Sequence, residues 1–203
     1  MNKKYIIWGA VGFVLLLLLT GGCSAYNSLV ELDAEVESSW GEVQVQYQRR
    51  LDLIPNLVST VKGYAAHEST TFQNVTEARA GLSKAYAETE SLRPDGQSDA
   101  RNLQKYDASQ QQLQRALDIY VNAVHEAYPQ LQASEQFLSL QDELANTENK
   151  ISTERHRYIN AVKEYNVAVK RFPKNIMASL FGYDVKPQYA AEEQAQHAPK
   201  VEF

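Results

Sequence analysis

Cysteine and glycine are scarce in this chain of 203 residues, and their scarcity excludes several kinds of site. Cys23 is the single cysteine, so no internal disulfide can form. The nine glycines nowhere form a phosphate-binding loop, and the Gly-x-Ser-x-Gly motif of a nucleophilic serine does not occur. We therefore predict that the protein is not an enzyme and that it has no catalytic residues.

The four histidines lack the neighbours that a metal site in a helical bundle requires. Di-iron and di-manganese bundles use Glu-x-x-His pairs on facing helices. None of the residues three positions before a histidine is acidic: these are Tyr64, Asn122, Thr153 and Gln194. No His-Glu-x-x-His motif is present either. The sequence predicts neither a metal site nor a cofactor.

Basic side chains are fewer than acidic ones. Of 20 lysines and arginines, Lys3 and Lys4 precede residue 24, which leaves 18 basic and 25 acidic side chains and a formal charge of −7 for residues 24–203. Binding to nucleic acid depends on neutralising phosphates with lysine and arginine, so we predict no nucleic-acid partner.

One long apolar run is present, at the N-terminus. Lys3 and Lys4 lead into an uncharged stretch from Tyr5 to Leu19. As a helix, residues 5–23 would extend about 28 Å, close to the hydrocarbon thickness of a bilayer. The run predicts a membrane segment, with the two lysines in the cytoplasm and residues 24–203 extracytoplasmic.

Two interpretations of this segment stay open. It is either a retained signal anchor, which crosses the membrane once, or a signal peptide that is cleaved before Cys23. Small residues before Cys23 resemble the lipobox of bacterial lipoproteins, so Cys23 is a candidate lipidation site, although Thr20 stands where such a motif usually has leucine. Both interpretations hold the protein at a membrane.

Helical periodicity dominates the rest of the chain. Apolar residues recur every seven positions in one row: Phe137, Leu144, Ile151, Tyr158, Tyr165 and Phe172. This spacing predicts a long helix over about residues 132–172 with a coiled-coil-like seam. An earlier helix carries the same pattern, in two rows: Leu103, Gln110, Leu117 and Val124, and Tyr106, Leu113, Tyr120 and Ala127. Ser98-Asp99 predicts its start and Pro129 its end.

The first half of the chain has two further apolar stripes. They are Leu29, Leu32, Val36, Trp40, Val43 and Tyr47, followed by Leu57, Val61, Tyr64, Phe72, Val75 and Leu82. Pro55 lies between them, and because no turn-forming residue precedes it, we expect the helix to continue with a kink or a one-residue break. Residues 92–97 are the strongest turn signal. After Pro173, we expect Ile176, Leu180 and Phe181 to form a short helix that folds back.

The predicted fold is all-α, an elongated antiparallel bundle of three to four long helices behind an N-terminal membrane segment. The predicted division is an anchor or lipoprotein signal peptide at 1–23, an extracytoplasmic bundle at 24–182, and an extended or weakly ordered tail at 183–203.

Several motifs stand in a characteristic order along the chain. They lie at residues 26–30 (YNSLV), 48–58 (QRRLDLIPNLV), 61–68 (VKGYAAHE), 75–80 (VTEARA), 165–166 (YN), 172–182 (FP to FG) and 198–203 (APKVEF). Together they resemble the LemA family over nearly the whole chain. The resemblance implies a bacterial membrane protein with a short N-terminal anchor and an extracytoplasmic antiparallel helical bundle. It implies no activity.

The segment around Pro55 is the best candidate for a role beyond packing. Two arginines beside a kink could bind an acidic partner, or they could pair with carboxylates on a neighbouring helix. The candidate interaction segment comprises Arg49, Arg50, Asp52, Pro55, Asn56, Lys62, Tyr64, His67 and Glu68. Gly63 lies inside a predicted helix, where we expect it to permit a close helix crossing.

Three functions follow from these observations. The first is a non-enzymatic envelope protein whose bundle acts as a docking or assembly module for a partner protein of the envelope. The second is a sensory module that binds a ligand or peptide near Pro55 and Phe181. The third and weakest is an uncharacterised hydrolase. An apolar groove with convergent polar groups favours the second function, and a filled bundle with one apolar patch left on its surface favours the first.

Overall fold

The computed structural model describes the backbone of residues 3–66, 72–94 and 100–187, and the side chains of residues 21–66, 72–94 and 102–187. These residues form five α-helices and one 3-10 helix. They are α1 (Lys3–Ala65), α2 (Gln73–Ser91), α3 (Ala100–Ala127), the 3-10 helix (Pro129–Ala133), α4 (Glu135–Lys170) and α5 (Lys174–Phe181). The prediction of an all-α protein is confirmed for the described residues. The number of helices in a bundle stays a prediction.

Helix α1 runs through Pro55 without a break. The expected continuation of the helix is confirmed and the one-residue break does not occur, because the residues before Pro55 offer no turn; the kink stays a prediction. The apolar stripe from Leu57 to Leu82, however, does not lie on a single helix. Helix α1 ends at Ala65, and Phe72 has an extended backbone (φ −85°, ψ 123°) before α2 begins. An extended residue interrupts the 3.6-residue repeat, so α1 and α2 share the stripe.

The N-terminal run belongs to α1, which begins at Lys3. Among the residues whose side chains the structure describes, from residue 21 onward, no helix contains a stretch that is both long enough and apolar enough to cross a membrane. Side chains 1–20 lie outside the described residues. The membrane segment at 1–23, with its topology, therefore stays a prediction.

The boundaries of α3 and α4 follow the prolines. Helix α3 ends at Ala127, just before Pro129, as predicted, whereas its predicted cap Ser98-Asp99 lies outside the described residues. Helix α4 is shorter than the predicted 132–172, because the 3-10 helix occupies residues up to Ala133 and α4 stops at Lys170. A proline disfavours helical backbone in the residue before it, so α4 ends ahead of Phe172-Pro173.

The chain divides into two compact units. One comprises Met1–Trp40 and His156–Phe203, and the other is Gly41–Arg155. In the second unit α1, α2, α3 and α4 share one core. Its fully buried members include Leu51, Leu57, Leu82, Leu113, Tyr120, Leu131 and Phe137.

The seven-residue row of α4 is buried from Phe137 to Tyr165. The predicted register is therefore confirmed over these residues. Phe172, the last predicted member, is 76% exposed instead. It lies beyond the end of α4, so it leaves the face that the repeat describes.

Helix α5 forms as predicted, and of the three predicted side chains Phe181 contacts α1, with its ring 4.7 Å from that of Tyr26. Ala178 is buried and packs with Leu29 and Ala168, and Met177 joins them. Ile176 and Leu180, which we expected to fold back, are exposed. The correction has a geometric reason, because Ile176 and Leu180 are four residues apart on one side of α5, whereas Ala178 lies on the opposite side, which packs on Leu29 and Ala168. A Cβ atom on Gly22 would stand 3.3 Å from Cε of Met177.

Residues 183–187 after α5 are not helical, and α4 holds them by hydrogen bonds. The Asn166 amide donates to the Lys186 carbonyl and accepts from the Lys186 N–H, both at 2.8 Å. The Tyr165 hydroxyl donates to the Asp184 carbonyl at 3.0 Å. Residues 188–203 of the predicted tail lie outside the described residues.

Candidate functional site

Arg50 lies at the centre of a buried polar network in the unit Gly41–Arg155. The residue is 3% exposed. Its Nε and Nη2 donate to the two carboxylate oxygens of Glu148 at 2.6 and 2.5 Å. Its Nη1 donates to the backbone carbonyl of Gln110 at 2.9 Å and to the side-chain oxygen at 3.2 Å. These hydrogen bonds connect Arg50 on α1 with α3 and α4. Arg50 therefore pairs with a carboxylate on a neighbouring helix, which was the second alternative given for the arginines.

A second part of the network surrounds Tyr47, one turn before Arg50 on α1. The Tyr47 hydroxyl donates to Asp107 at 2.5 Å, and Asp107 also accepts from Gln111 at 3.0 Å and from Arg155 at 3.5 Å. Burial, together with the negative charge of Asp107, raises the pKa of Tyr47 far above its usual value. The hydroxyl therefore stays protonated and donates to Asp107, which joins α1 to α3.

The other residues of the candidate interaction segment are distributed over the surface. Arg49, Asp52, Pro55, Asn56 and Lys62 are exposed, and Tyr64 is half-buried. The Asp52 carboxylate accepts from Gln48 at 2.7 Å. His67 and Glu68 lie outside the described residues. A continuous helix turns the described residues of the segment to different sides, and the role of the segment in interaction stays a prediction.

Asn56 and Tyr64 do meet at a groove. This groove, of about 740 Å³, lies beside the last turns of α1. Its lining residues are Asn56, Ser59, Thr60, Gly63, Tyr64, Leu131, Ser134, Gln136, Ser139 and Leu140. None of them is charged, and most carry a hydroxyl or an amide. The Tyr64 hydroxyl donates to Gln130 at 3.3 Å, which sets the ring at the edge of the groove.

Gly63 serves the groove and not a helix crossing. A Cβ atom built on Gly63 would meet no heavy atom within 4 Å. The predicted close crossing is therefore wrong. The pattern of a glycine inside a helix does not distinguish a close contact from open space, and here the small residue leaves the groove wide.

Cys23, the candidate lipidation site, is exposed near the start of the described side chains. Exposure is compatible with both interpretations of the N-terminal segment. Among the described residues, no group of three or more His, Cys, Asp or Glu side chains could hold a metal ion.

Sequence reasoning missed several of the residues that matter here. Gln110 was recognised only as a member of an apolar row, although a glutamine at a core position is itself a signal of a buried polar partner. Nothing in the sequence distinguishes Glu148 from the many exposed glutamates. The groove residues Ser134, Gln136 and Ser139 follow no pattern, since they converge only through the turn between the 3-10 helix and α4.

The sequence is similar to known proteins. A family model described as the LemA family matches residues 39–203. Magnetosome proteins MamQ 1 and MamQ 2 of Paramagnetospirillum magneticum are each 25% identical over 206 residues, which cover 96% of this chain and 73% of each relative. Magnetosome protein MamQ of Magnetospirillum gryphiswaldense is 24% identical over 205 residues, covering 94% and 72%.

Proposed function

The chain belongs to the LemA family, and we propose that it is a non-enzymatic, membrane-anchored envelope protein whose Gly41–Arg155 unit is a protein-interaction or assembly module. Membership of the family and the likeness to the MamQ proteins support a membrane-associated envelope protein of the LemA type.

The groove beside Tyr64 is the observation that carries the interaction role. Its uncharged hydroxyls and amides suit hydrogen bonding to the backbone of a partner segment, and Leu131 and Leu140 supply an apolar floor. Tyr64 adds an amphipathic ring of the kind that anchors interfaces. The proposed occupant is an uncharged segment of another envelope protein.

The shape of the groove favours this occupant over a small ligand. Sites for small molecules enclose most of the ligand surface, whereas this groove is wide and open to solvent. The sensory module that binds a small molecule is therefore the second choice.

The proposed membrane attachment uses residues 1–23. Helical backbone from Lys3 onward supports a continuous helix from the apolar run into the domain. The run and its two lysines favour a single-pass topology with residues 24–203 extracytoplasmic. Exposed Cys23 leaves a lipid-anchored form as the alternative.

Photocrosslinking in living cells tests the interaction role. We place a photoreactive amino acid at Ser139, which lines the groove, and at Asn149, which is exposed on the same helix outside it. We expect a defined protein adduct from position 139 alone. Gly63→Trp fills the groove and should remove the adduct.

The matched control is Gly81→Trp, because Gly81 is also an exposed helical glycine with open space around it. It should keep the adduct. An adduct from position 139 that persists in Gly63→Trp would contradict docking in the groove, and equal adducts from positions 139 and 149 would show that the contacts are unspecific.

A further inference from the structure

Exposed apolar side chains concentrate around α5. Within the described residues, Phe172 is 76% exposed, Ile176 54%, Leu180 69% and Phe181 54%. The inner side of α5 is already filled by Ala178 and Met177. An apolar surface of this kind on a folded unit marks a place that another surface covers.

The position of α5 indicates what that surface is. Gly22 lies beside Met177, the rings of Tyr26 and Phe181 are 4.7 Å apart, and Lys174 donates from Nζ to the Ser28 hydroxyl at 2.6 Å. The predicted membrane segment, residues 5–23, ends at Cys23. At roughly 1.5 Å per residue, Gly22 lies at that end and Ser28 is about 7.5 Å beyond it. Each headgroup layer of a bilayer is about 5–8 Å thick, so α5 lies alongside the part of α1 that would leave the membrane.

The charge around α5 fits the same surface. Residues 163–187 contain five basic and two acidic side chains, a net charge of +3, although residues 24–203 as a whole are acidic. Lys170 and Arg171 are exposed immediately before Phe172. Apolar residues flanked by lysine and arginine are typical of helices that lie in the membrane interface.

We propose that α5 and Phe172 form a membrane-contacting surface that inserts into the interface of the bilayer that the N-terminal segment enters. In this arrangement Phe172, Ile176 and Leu180 contact the boundary between headgroups and acyl chains, and Lys170 and Arg171 contact lipid phosphates. The proposal rests on the proposed attachment through residues 1–23. Its consequence is that the unit Met1–Trp40 with His156–Phe203 is seated on the membrane by two elements, α1 and α5.

Photocrosslinking of the purified full chain to lipid tests the proposal. The chain is reconstituted into vesicles of phosphatidylcholine and phosphatidylglycerol in equal parts, with a photoreactive amino acid at Leu180. The control is position 160, because Asn160 is exposed on α4 two residues after Tyr158. The ring of Tyr158 lies 5.2 Å from that of Trp40, and Trp40 is about 31 Å beyond Leu19 along α1.

We expect a phospholipid adduct at position 180 and none at position 160, detected by mass spectrometry. The adduct at 180 should weaken in pure phosphatidylcholine and in the variant Lys170→Glu with Arg171→Glu. A chain that floats with the vesicles but gives no lipid adduct at 180, or gives an adduct to a second copy of the chain, overturns the membrane-contacting surface alone. A chain that does not float overturns the proposed attachment and this proposal together.

Discussion

Arg50 and Glu148 form a two-fold hydrogen-bonded ion pair across the core of the unit Gly41–Arg155, although 98 residues separate them in the chain. The guanidinium is almost fully buried and the carboxylate side chain is 28% exposed. The remaining nitrogen of the guanidinium, Nη1, donates to the backbone and side-chain oxygens of Gln110. A buried cation needs this degree of pairing, since its desolvation is otherwise not offset.

Glu148→Ala should therefore destabilise the protein by about 3–5 kcal/mol, because it leaves a buried guanidinium without its anion. Urea denaturation followed by circular dichroism measures the change. Arg49→Ala is the matched control, since Arg49 is exposed, and should cost less than about 0.5 kcal/mol. Replacing both partners by apolar residues, Arg50→Met with Glu148→Leu, should cost less than Glu148→Ala alone. Equal effects of Glu148→Ala and Arg49→Ala would contradict the pairing.

The register of α4 predicts a contrast between two neighbouring positions. Ile151 is 4% exposed on the buried row, and Asn149 is exposed. Ile151→Ala should cost about 2–5 kcal/mol, because it removes buried apolar atoms and leaves a cavity. Asn149→Ala should cost under about 0.5 kcal/mol. Denaturant melts in which the two variants are equally damaged would show that the seam is wrongly placed.

Buried tyrosines predict a loss of stability at alkaline pH. Burial raises the pKa of Tyr120 to about 12, and burial with the nearby Asp107 carboxylate raises that of Tyr47. An unfolded tyrosine titrates near about 10. Above that pH the unfolded chain releases protons that the folded chain retains, so the free energy of unfolding falls as pH rises.

The free energy of unfolding should not change with the ionisation of these tyrosines below about pH 10. It should decline progressively from there towards about pH 12. Urea midpoints across this range measure the decline. Tyr47→Phe removes one titrating group and should make the decline shallower. A decline of unchanged slope would show that Tyr47 does not contribute.

Two glycines should respond in opposite directions to alanine. Gly63→Ala adds a methyl group to open space inside a helix, so it should stabilise by roughly 0.5–1 kcal/mol. Gly182 ends α5 in the left-handed region at φ 75°, where alanine is strained, so Gly182→Ala should destabilise by about 1 kcal/mol. Thermal melts compare the two variants. If Gly63→Ala destabilised the protein, the result would support the close helix crossing at Gly63 that we reject.

Cys23 allows a direct test of the N-terminal segment. In cells that express a lipidated protein, a fatty-acid analogue labels the chain, and Cys23→Ala abolishes the label. Intact mass distinguishes the alternatives: residues 1–22 are absent from the lipoprotein and present in the signal anchor. Detection of unlabelled, full-length protein in the membrane fraction would establish the retained helix.

Sequence alone determined where most helices lie and which faces they bury. The buried row from Phe137 to Tyr165, the stop before Pro129 and the continuation through Pro55 all follow from side-chain spacing and backbone chemistry that act within a few residues. Two predicted helix bounds were wrong, also for reasons that act within a few residues. The backbone is extended at Phe72, and α4 ends at Lys170, although the apolar repeats of the sequence continue through both places.

Only the tertiary structure decided which residues meet. Arg49 and Arg50 are identical in chemistry and adjacent in the chain, yet one is exposed and the other reaches Glu148 and Gln110. Ser139 joins Asn56 in a groove, and Ala178, not Leu180, holds α5. Periodicity reports the geometry of one helix, whereas partner choice depends on how helices distant in sequence pack and on which side of each helix faces its neighbour.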